Sequence, residues 1–144
     1  MIVEEVDRRG GLVNKFMGDA VLAVFGAPVT VDDHAGHALA AARAIAARLA
    51  SEVPELSAGV GVATGDVVAG NVGHEERFEY TVIGDAVNSA ARLTDLAKKE
   101  EGRILVSRAS VEAAGSEEAE HWVDHGSVTL RGRGGETALA VPRG

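Results

Sequence analysis

The chain contains no cysteine. That excludes disulfides, thiolate zinc sites and thiol catalysis, and agrees with the cytoplasmic setting expected here. Aromatic residues make up only 3 % although hydrophobic residues reach 46 %, so the core must be built from Val, Ala, Leu and Ile. Positive charge is scarce as well: 14 Lys and Arg against 22 Asp and Glu leave a formal charge of −8, with no basic stripe. A nucleic-acid surface is therefore not expected. An anionic nucleotide is still compatible with such a chain if metal ions and a few placed cations screen its phosphates. No apolar run reaches the ~20 residues of a membrane span, so direct membrane insertion is not expected. The opening MIVEEVDRRG lacks the basic start and apolar stretch of a signal peptide. A larger parent with a membrane anchor and this stretch as its cytosolic domain stays open.

What is present suits one domain over residues 1–144. Residues 2–9 read as the last turns of a helix that Gly10-Gly11 stops. Residues 11–17 and 20–25 read as strands joined at Gly18-Asp19, a short Gly-containing hairpin link. Thr30-Val-Asp-Asp leads into a helix over roughly 32–51, with Ala35, Leu39, Ala42, Ile45, Ala46 and Leu49 as its apolar stripe. Strands are predicted at 56–64 and 66–72 around Gly65-Asp66, and at 77–83. Gly84-Asp85 opens a helix to about Lys99. A strand at 103–106, a short helix at 107–114 and strands at 119–124, 127–131 and 137–142 complete the chain. This order suits an α+β or split βαβ sheet rather than a doubly wound one.

On the helix from residue 85, Asp85, Asn88, Arg92, Asp95 and Lys99 recur at three- and four-residue steps and share one polar face. Periodicity alone reads that face as solvated and laced with ion pairs. Its setting in YTVIGDAVNSAARL adds a second reading. Arg presents a fixed fork of donors to phosphate oxygens, and Asn one turn away can orient a sugar oxygen.

Together, GGLVNKFMGDAVLAVFG and YTVIGDAVNSAARL resemble the catalytic domain of class III nucleotidyl cyclases, especially bacterial adenylate cyclases. The resemblance runs from about Val3 to Pro142. It implies a ferredoxin-like (βαββαβ-type) α+β fold. It also implies conversion of ATP to 3′,5′-cyclic AMP and diphosphate. The ribose 3′-oxygen would attack the α-phosphate in line, assisted by two Mg²⁺ or Mn²⁺ ions. In that family Asp19 corresponds to one of two metal-holding aspartates, Asn88 to the ribose-orienting residue, and Arg92 to the arginine that neutralises the α-phosphate in the transition state. Arg131 in LRGRGG corresponds to a contact with the terminal phosphates, and Arg77 is a further candidate for a phosphate. Lys15 and Thr81 take the base-reading positions. Lys15 would donate to adenine N1 and the Thr81 hydroxyl would accept from the 6-amino group. Thr81 stands where the commonest subclass has aspartate, as in a recognised bacterial variant. The site would be composite: one chain supplies the metal aspartates, and its partner supplies Lys15, Thr81, Asn88 and Arg92. A homodimer would thus form two equivalent sites, with GDVVAGNVG on the dimer surface.

The resemblance places the other metal aspartate on a strand before the first helix, so the domain is expected to lack its first strand and first helix beyond the remnant at 2–9. Glu4, Glu5 and Asp7 on that remnant are not expected to substitute. The absent strand would lie in mid-sheet beside the 11–25 hairpin, leaving backbone groups unpaired. Two readings follow: an adenylate cyclase, or a catalytically impaired cyclase-like module that binds nucleotide or a partner. A diguanylate-cyclase-like domain would want a GGDEF-like hairpin, where this chain has MGDA. His34 and His37 have metal-compatible spacing but no third ligand nearby. His121 and His125 read as surface residues, Trp122 as core or interface, and Asp66 as turn chemistry.

Overall fold

The computed structural model describes residues 2–17, 20–27, 31–74, 77–130 and 135–143. Asp19 and Arg131 lie outside the described residues, as do the side chains of Arg77 and Thr81. The elements are α1 (Ile2–Arg8), β1 (Leu12–Met17), β2 (Ala20–Val24), α2 (His34–Glu52), β3 (Val60–Val62), β4 (Val68–His74), β5 (Arg77–Ile83), α3 (Asp85–Ala97), β6 (Ile104–Ser107), α4 (Arg108–Ala113), α5 (Ser116–Ala119), β7 (Trp122–Thr129) and β8 (Glu136–Pro142). The mixed α+β architecture expected from the sequence is present.

Three sheets organise these strands. A four-stranded sheet runs β3-β6-β8-β7, with β3 and β6 parallel and the other neighbours antiparallel. The hairpins β1-β2 and β4-β5 are two-stranded, and among the described residues neither shares a ladder with the larger sheet. Leu39 and Ala42 of α2 pack with Ile104, Val106, Trp122 and Ala140 on one side of the four-stranded sheet. Leu93 and Ala97 of α3 pack with Leu105 and Leu139. Ile104 and Val106 alternate with Leu105 along β6, so one short strand feeds two core clusters, one under each helix. Few aromatics are needed for this: Trp122 is the one aromatic in the buried core of the described residues, and its indole N–H donates to Glu118 Oε2 at 2.8 Å.

Several boundaries differ from the sequence reading. The 56–64 strand contracts to Val60–Val62 and does not turn back at Gly65-Asp66; it runs parallel to β6, and β4 pairs with β5 instead. The reason lies in Gly59 and Gly61. A Cβ on Gly59 would run into the Thr94 carbonyl, and one on Gly61 would sit 2.7 Å from the Ala90 carbonyl. α3 therefore lies against the β3 backbone, a spacing that side chains would prevent. The strands read at 119–124 and 127–131 are one strand, β7, with a register shift between Asp124 and Ser127. Gly126 sits there at φ 73°, so the small polar gap in the sequence is a bulge and not a turn. A short α5 precedes β7, where the sequence reading began a strand at 119.

α2 starts at Asp33, whose backbone is left-handed at φ 52°. Its carboxylate accepts from Gly36 N at 3.2 Å and from Gly115 N at 2.9 Å. The same side chain therefore caps α2 and fastens the α4–α5 link, which offsets an unfavourable backbone.

α1 is held to α2 through a buried acid. Glu5 is 4 % exposed. It accepts from Arg9 Nη1 at 2.7 Å and Arg8 Nη1 at 3.3 Å, and from Arg48 Nη1 of α2 at 3.4 Å. The Arg9 hydrogen bond foremost, with the charges of Arg8 and Arg9, holds this carboxyl below the ordinary carboxylate range against the opposing effect of desolvation. A carboxylate easier to ionise in the folded chain stabilises it above the ordinary carboxylate pKa. That contribution is lost as pH falls through the lowered value. Glu5→Gln is therefore expected to lower thermal stability at neutral pH and to flatten the acid limb of a melting-temperature profile. An unchanged acid limb would show that the latch contributes nothing.

Candidate nucleotide site

The β5–α3 junction sets the first part of the site. β5 ends at Ile83 and α3 starts at Asp85, so only Gly84 separates strand from helix. Gly84 adopts φ 155°, and a Cβ there would lie 3.1 Å from the Asp66 carbonyl oxygen and from Val67 Cγ1. Glycine is required for so abrupt a turn. α3 is then fixed in roll by Ser89, Leu93 and Ala97, all buried, and by its close approach to Gly59 and Gly61. Asn88 and Arg92, one turn apart, consequently point outward and are exposed.

The chain treats its cations unequally. Arg8, Arg9, Arg43, Arg48, Lys98 and Arg108 are held in ion pairs, and Arg103 and Arg143 donate to Ser57 Oγ and the Glu120 carbonyl. Among the lysines and arginines whose side chains are described, Lys15, Arg92 and Lys99 alone have no side-chain hydrogen bond or ion pair. The Asn88 side chain likewise has none among the described residues. The face that periodicity suggested is solvated at Asn88 and Arg92 as expected, but among the described residues it is ion-paired only at its far end, where Lys98 meets Asp95 at 3.7 Å. Unpaired donors held on a rigid helix are available to an anion.

Lys15 lies on β1, in the hairpin that among the described residues shares no ladder with the rest. Met17 pairs with Ala20, so β1 and β2 pair antiparallel as expected from the sequence, and Gly18 and Asp19 lie outside the described residues. Thr81 sits on β5 opposite Gly70, four residues before α3, and Arg77 opens β5 opposite His74. The structure places Asn88 and Arg92 together on α3, with the Thr81 backbone in the strand that leads into it. Among the described side chains, Lys15 makes no hydrogen bond to Asn88 or Arg92. Sequence reasoning missed one feature here, a bulge in β1 at Asn14. Two consecutive polar residues inside the apolar strand, Asn14-Lys15, were the available signal.

For a metal, the described residues contain no group of three or more His, Asp or Glu side chains close enough to hold an ion. His34 and His37 are exposed. Glu5, the one buried acid on α1, is occupied by three arginines. The described residues do not by themselves make a metal site, and the metal candidate Asp19 lies outside them.

The family model of the adenylate and guanylate cyclase catalytic domain matches residues 6–141, and the chain belongs to that family. The uncharacterized protein Rv1319c of Mycobacterium tuberculosis is 57% identical over 142 residues, which cover 99% of this chain and 26% of that protein. Rv1318c of the same organism, also uncharacterized, is 56% identical over 144 residues, covering 100% and 27%. The chain thus spans about a quarter of the length of these relatives. Among solved structures, the guanylyl cyclase Cya2 superposes with a TM-score of 0.78 at 28% identity, over 96% of this chain and 73% of that one. The adenylyl cyclase CyaB from P. aeruginosa superposes at 0.73 with 27% identity, over 96% and 74%. Guanylyl and adenylyl cyclases match about equally well.

Proposed function

We propose that this domain is an adenylate cyclase that converts ATP to 3′,5′-cyclic AMP and diphosphate. The observation that carries the reading is the outward, partnerless pair Asn88 and Arg92 on a helix fixed by glycine contacts, in a chain of the cyclase family. Arg92 neutralises charge that grows on the α-phosphate oxygens as the ribose 3′-oxygen attacks. Asn88 orients the ribose so that this oxygen lies in line with the leaving diphosphate. Arg131 and Arg77 bind the remaining phosphates. Lys15 donates to N1 of adenine and the Thr81 hydroxyl accepts from its 6-amino group. Guanine has a hydrogen on N1 and would meet the Lys15 ammonium donor to donor. Asp19 is the proposed holder of Mg²⁺ or Mn²⁺, which when bound polarises the attacking oxygen and the leaving phosphates.

The reading includes a homodimer with composite sites. Val68 and Ile83 face each other at the base of the β4-β5 hairpin and are 73% and 60% exposed. Such a pair beside the start of α3 suits burial against a second copy. The alternative is a cyclase-like module that binds nucleotide without turnover. It is favoured by Glu5, the one buried acid of α1, being held by Arg8, Arg9 and Arg48 and so not free to hold an ion. Cyclic AMP formed from Mn-ATP, by this chain alone and mixed with a longer family member, separates the two. Product that disappears in Asp19→Ala supports the enzyme; no product in either mixture leaves the module.

A further inference from the structure

β1 carries one residue more than the strand it pairs with. Leu12 and Val13 oppose Val24 and Ala23, whereas Lys15, Phe16 and Met17 oppose Leu22, Val21 and Ala20, so the register shifts by one residue at Asn14. Opposed residues share a face and successive residues alternate. Lys15 therefore shares a face with Leu12, Leu22 and Val24, and Phe16 shares one with Val13, Val21 and Ala23. In a regular strand with Asn14 kept in register the parity beyond Val13 would reverse, placing Lys15 with Val13 and Phe16 with Leu12. The two faces are not equivalent, because Phe16 is 71% exposed while Lys15 is half-buried. The Asn14 Oδ1 atom is itself buried, so the extra residue is seated in the hairpin and not looped into solvent.

We propose that the parity of β1 beyond Val13, which the register shift at Asn14 preserves in this chain, sets base selectivity: it turns the Lys15 ammonium toward the purine edge and keeps the Phe16 ring off it. The inference rests on the reading of Lys15 as the base-reading residue. The extra residue acts through strand parity and not through the Asn14 side chain. A phenyl ring in place of the ammonium offers nothing to N1, so a parity error would abolish discrimination even with Lys15 retained.

Two variants remove the bulge and differ in parity. Deleting Asn14 leaves every pair in place and Lys15 on the Leu12 face. Inserting one alanine between Leu22 and Ala23 gives Asn14 a partner and turns Lys15 onto the Val13 face. The insertion also turns the Gly18-Asp19 end, so the readout is binding and not turnover: displacement of a fluorescent nucleotide analogue by ATP or by GTP. The chain has no native thiol, so Lys15→Cys and Phe16→Cys report the faces directly by their labelling rates. Phe16→Cys is expected to label faster in the parent and in the deletion, and Lys15→Cys faster in the insertion. ATP preference over GTP is expected to change less than about threefold on deletion and to fall about tenfold or more on insertion. Exchanging the two residues, Lys15→Phe with Phe16→Lys, should lose the preference in the bulged chain and restore it in the insertion. A labelling order that does not reverse, or no rescue by the exchange, overturns the inference. A preference unchanged in Lys15→Ala overturns the base-reading role itself, a distinct result. If the insertion does not fold, a tenfold loss on deletion alone overturns the parity account, and a retained preference supports it.

Discussion

Arg92→Ala is expected to lower kcat for cyclic AMP formation by about 10²–10³-fold, with KM for ATP changed far less, when measured in the intact protein that carries this domain. The magnitude is that of removing one donor aimed at charge that develops only in the transition state. A contact made equally to bound ATP would appear in KM instead. The variant should fold normally. Arg92 is exposed and partnerless among the described residues, and substitutions at such positions change stability by roughly 0.5 kcal/mol or less. The helix beneath it is held by other groups: Ser89, Leu93 and Ala97 on its inner side, and the glycine approach of β3. Arg92→Lys keeps the charge and loses the planar fork, so it should recover only part of the rate. Initial rates and a thermal melt on the same sample check this. A rate within threefold of the parent, with an unaltered melt, would remove Arg92 from the chemistry.

The contrast with Arg43 shows why burial and pairing matter more than residue type. Arg43 Nε donates to Glu118 Oε2 at 2.8 Å, and that carboxylate oxygen also accepts from Trp122. The bidentate bond to Glu118 foremost raises the guanidinium pKa, against partial desolvation. Helical periodicity alone does not separate Arg43 from Arg92, since both sit on Ala-rich helices three or four residues from apolar neighbours. What separates them is a partner 75 residues away, which periodicity cannot see. The same limit applies to Glu5, whose burial depends on Arg48 of the following helix.

Local patterns were legible where one residue step decides the outcome. The stripe from Ala35 to Ile45 is buried as its spacing requires, and β1 and β2 pair antiparallel as expected, with Met17 opposite Ala20. The polar step from Asn88 to Arg92 gave the outward face of α3. Legibility failed where one backbone has to fit another. α3 packs on the β3 backbone at Gly59 and Gly61, the extra residue at Asn14 sits inside a strand that the sequence read as regular, and the break read near Gly126 is absorbed as a bulge within one continuous strand. A glycine reads as a stop in the sequence, yet a paired strand can pass through it.

Mixing Arg92→Ala chains with Asp19→Ala chains is expected to restore cyclase activity that neither variant has alone. In the proposed dimer these two residues of one protomer serve different nucleotides, because Arg92 belongs to the base-reading half of one site and Asp19 to the metal-holding half of the other. Random pairing puts half of the dimers in the mixed form, and in each of these one site collects both lesions and the other none. The mixture should therefore reach about a quarter of the parent rate. If instead both residues act within one protomer, every protomer in the mixture has one lesion and nothing is recovered. The proposed dimer would account for two features. Among the described residues Lys15 stands on a hairpin that shares no ladder with the four-stranded sheet, and Val68, Ile83 and Phe16 are among the most exposed large apolar side chains. Burying those residues against a second copy would bring the β4-β5 hairpin and the start of α3 to the partner's surface. Sedimentation of the mixture can then confirm that any recovered activity travels with a dimer, and activity confined to a monomer peak would reject the composite site.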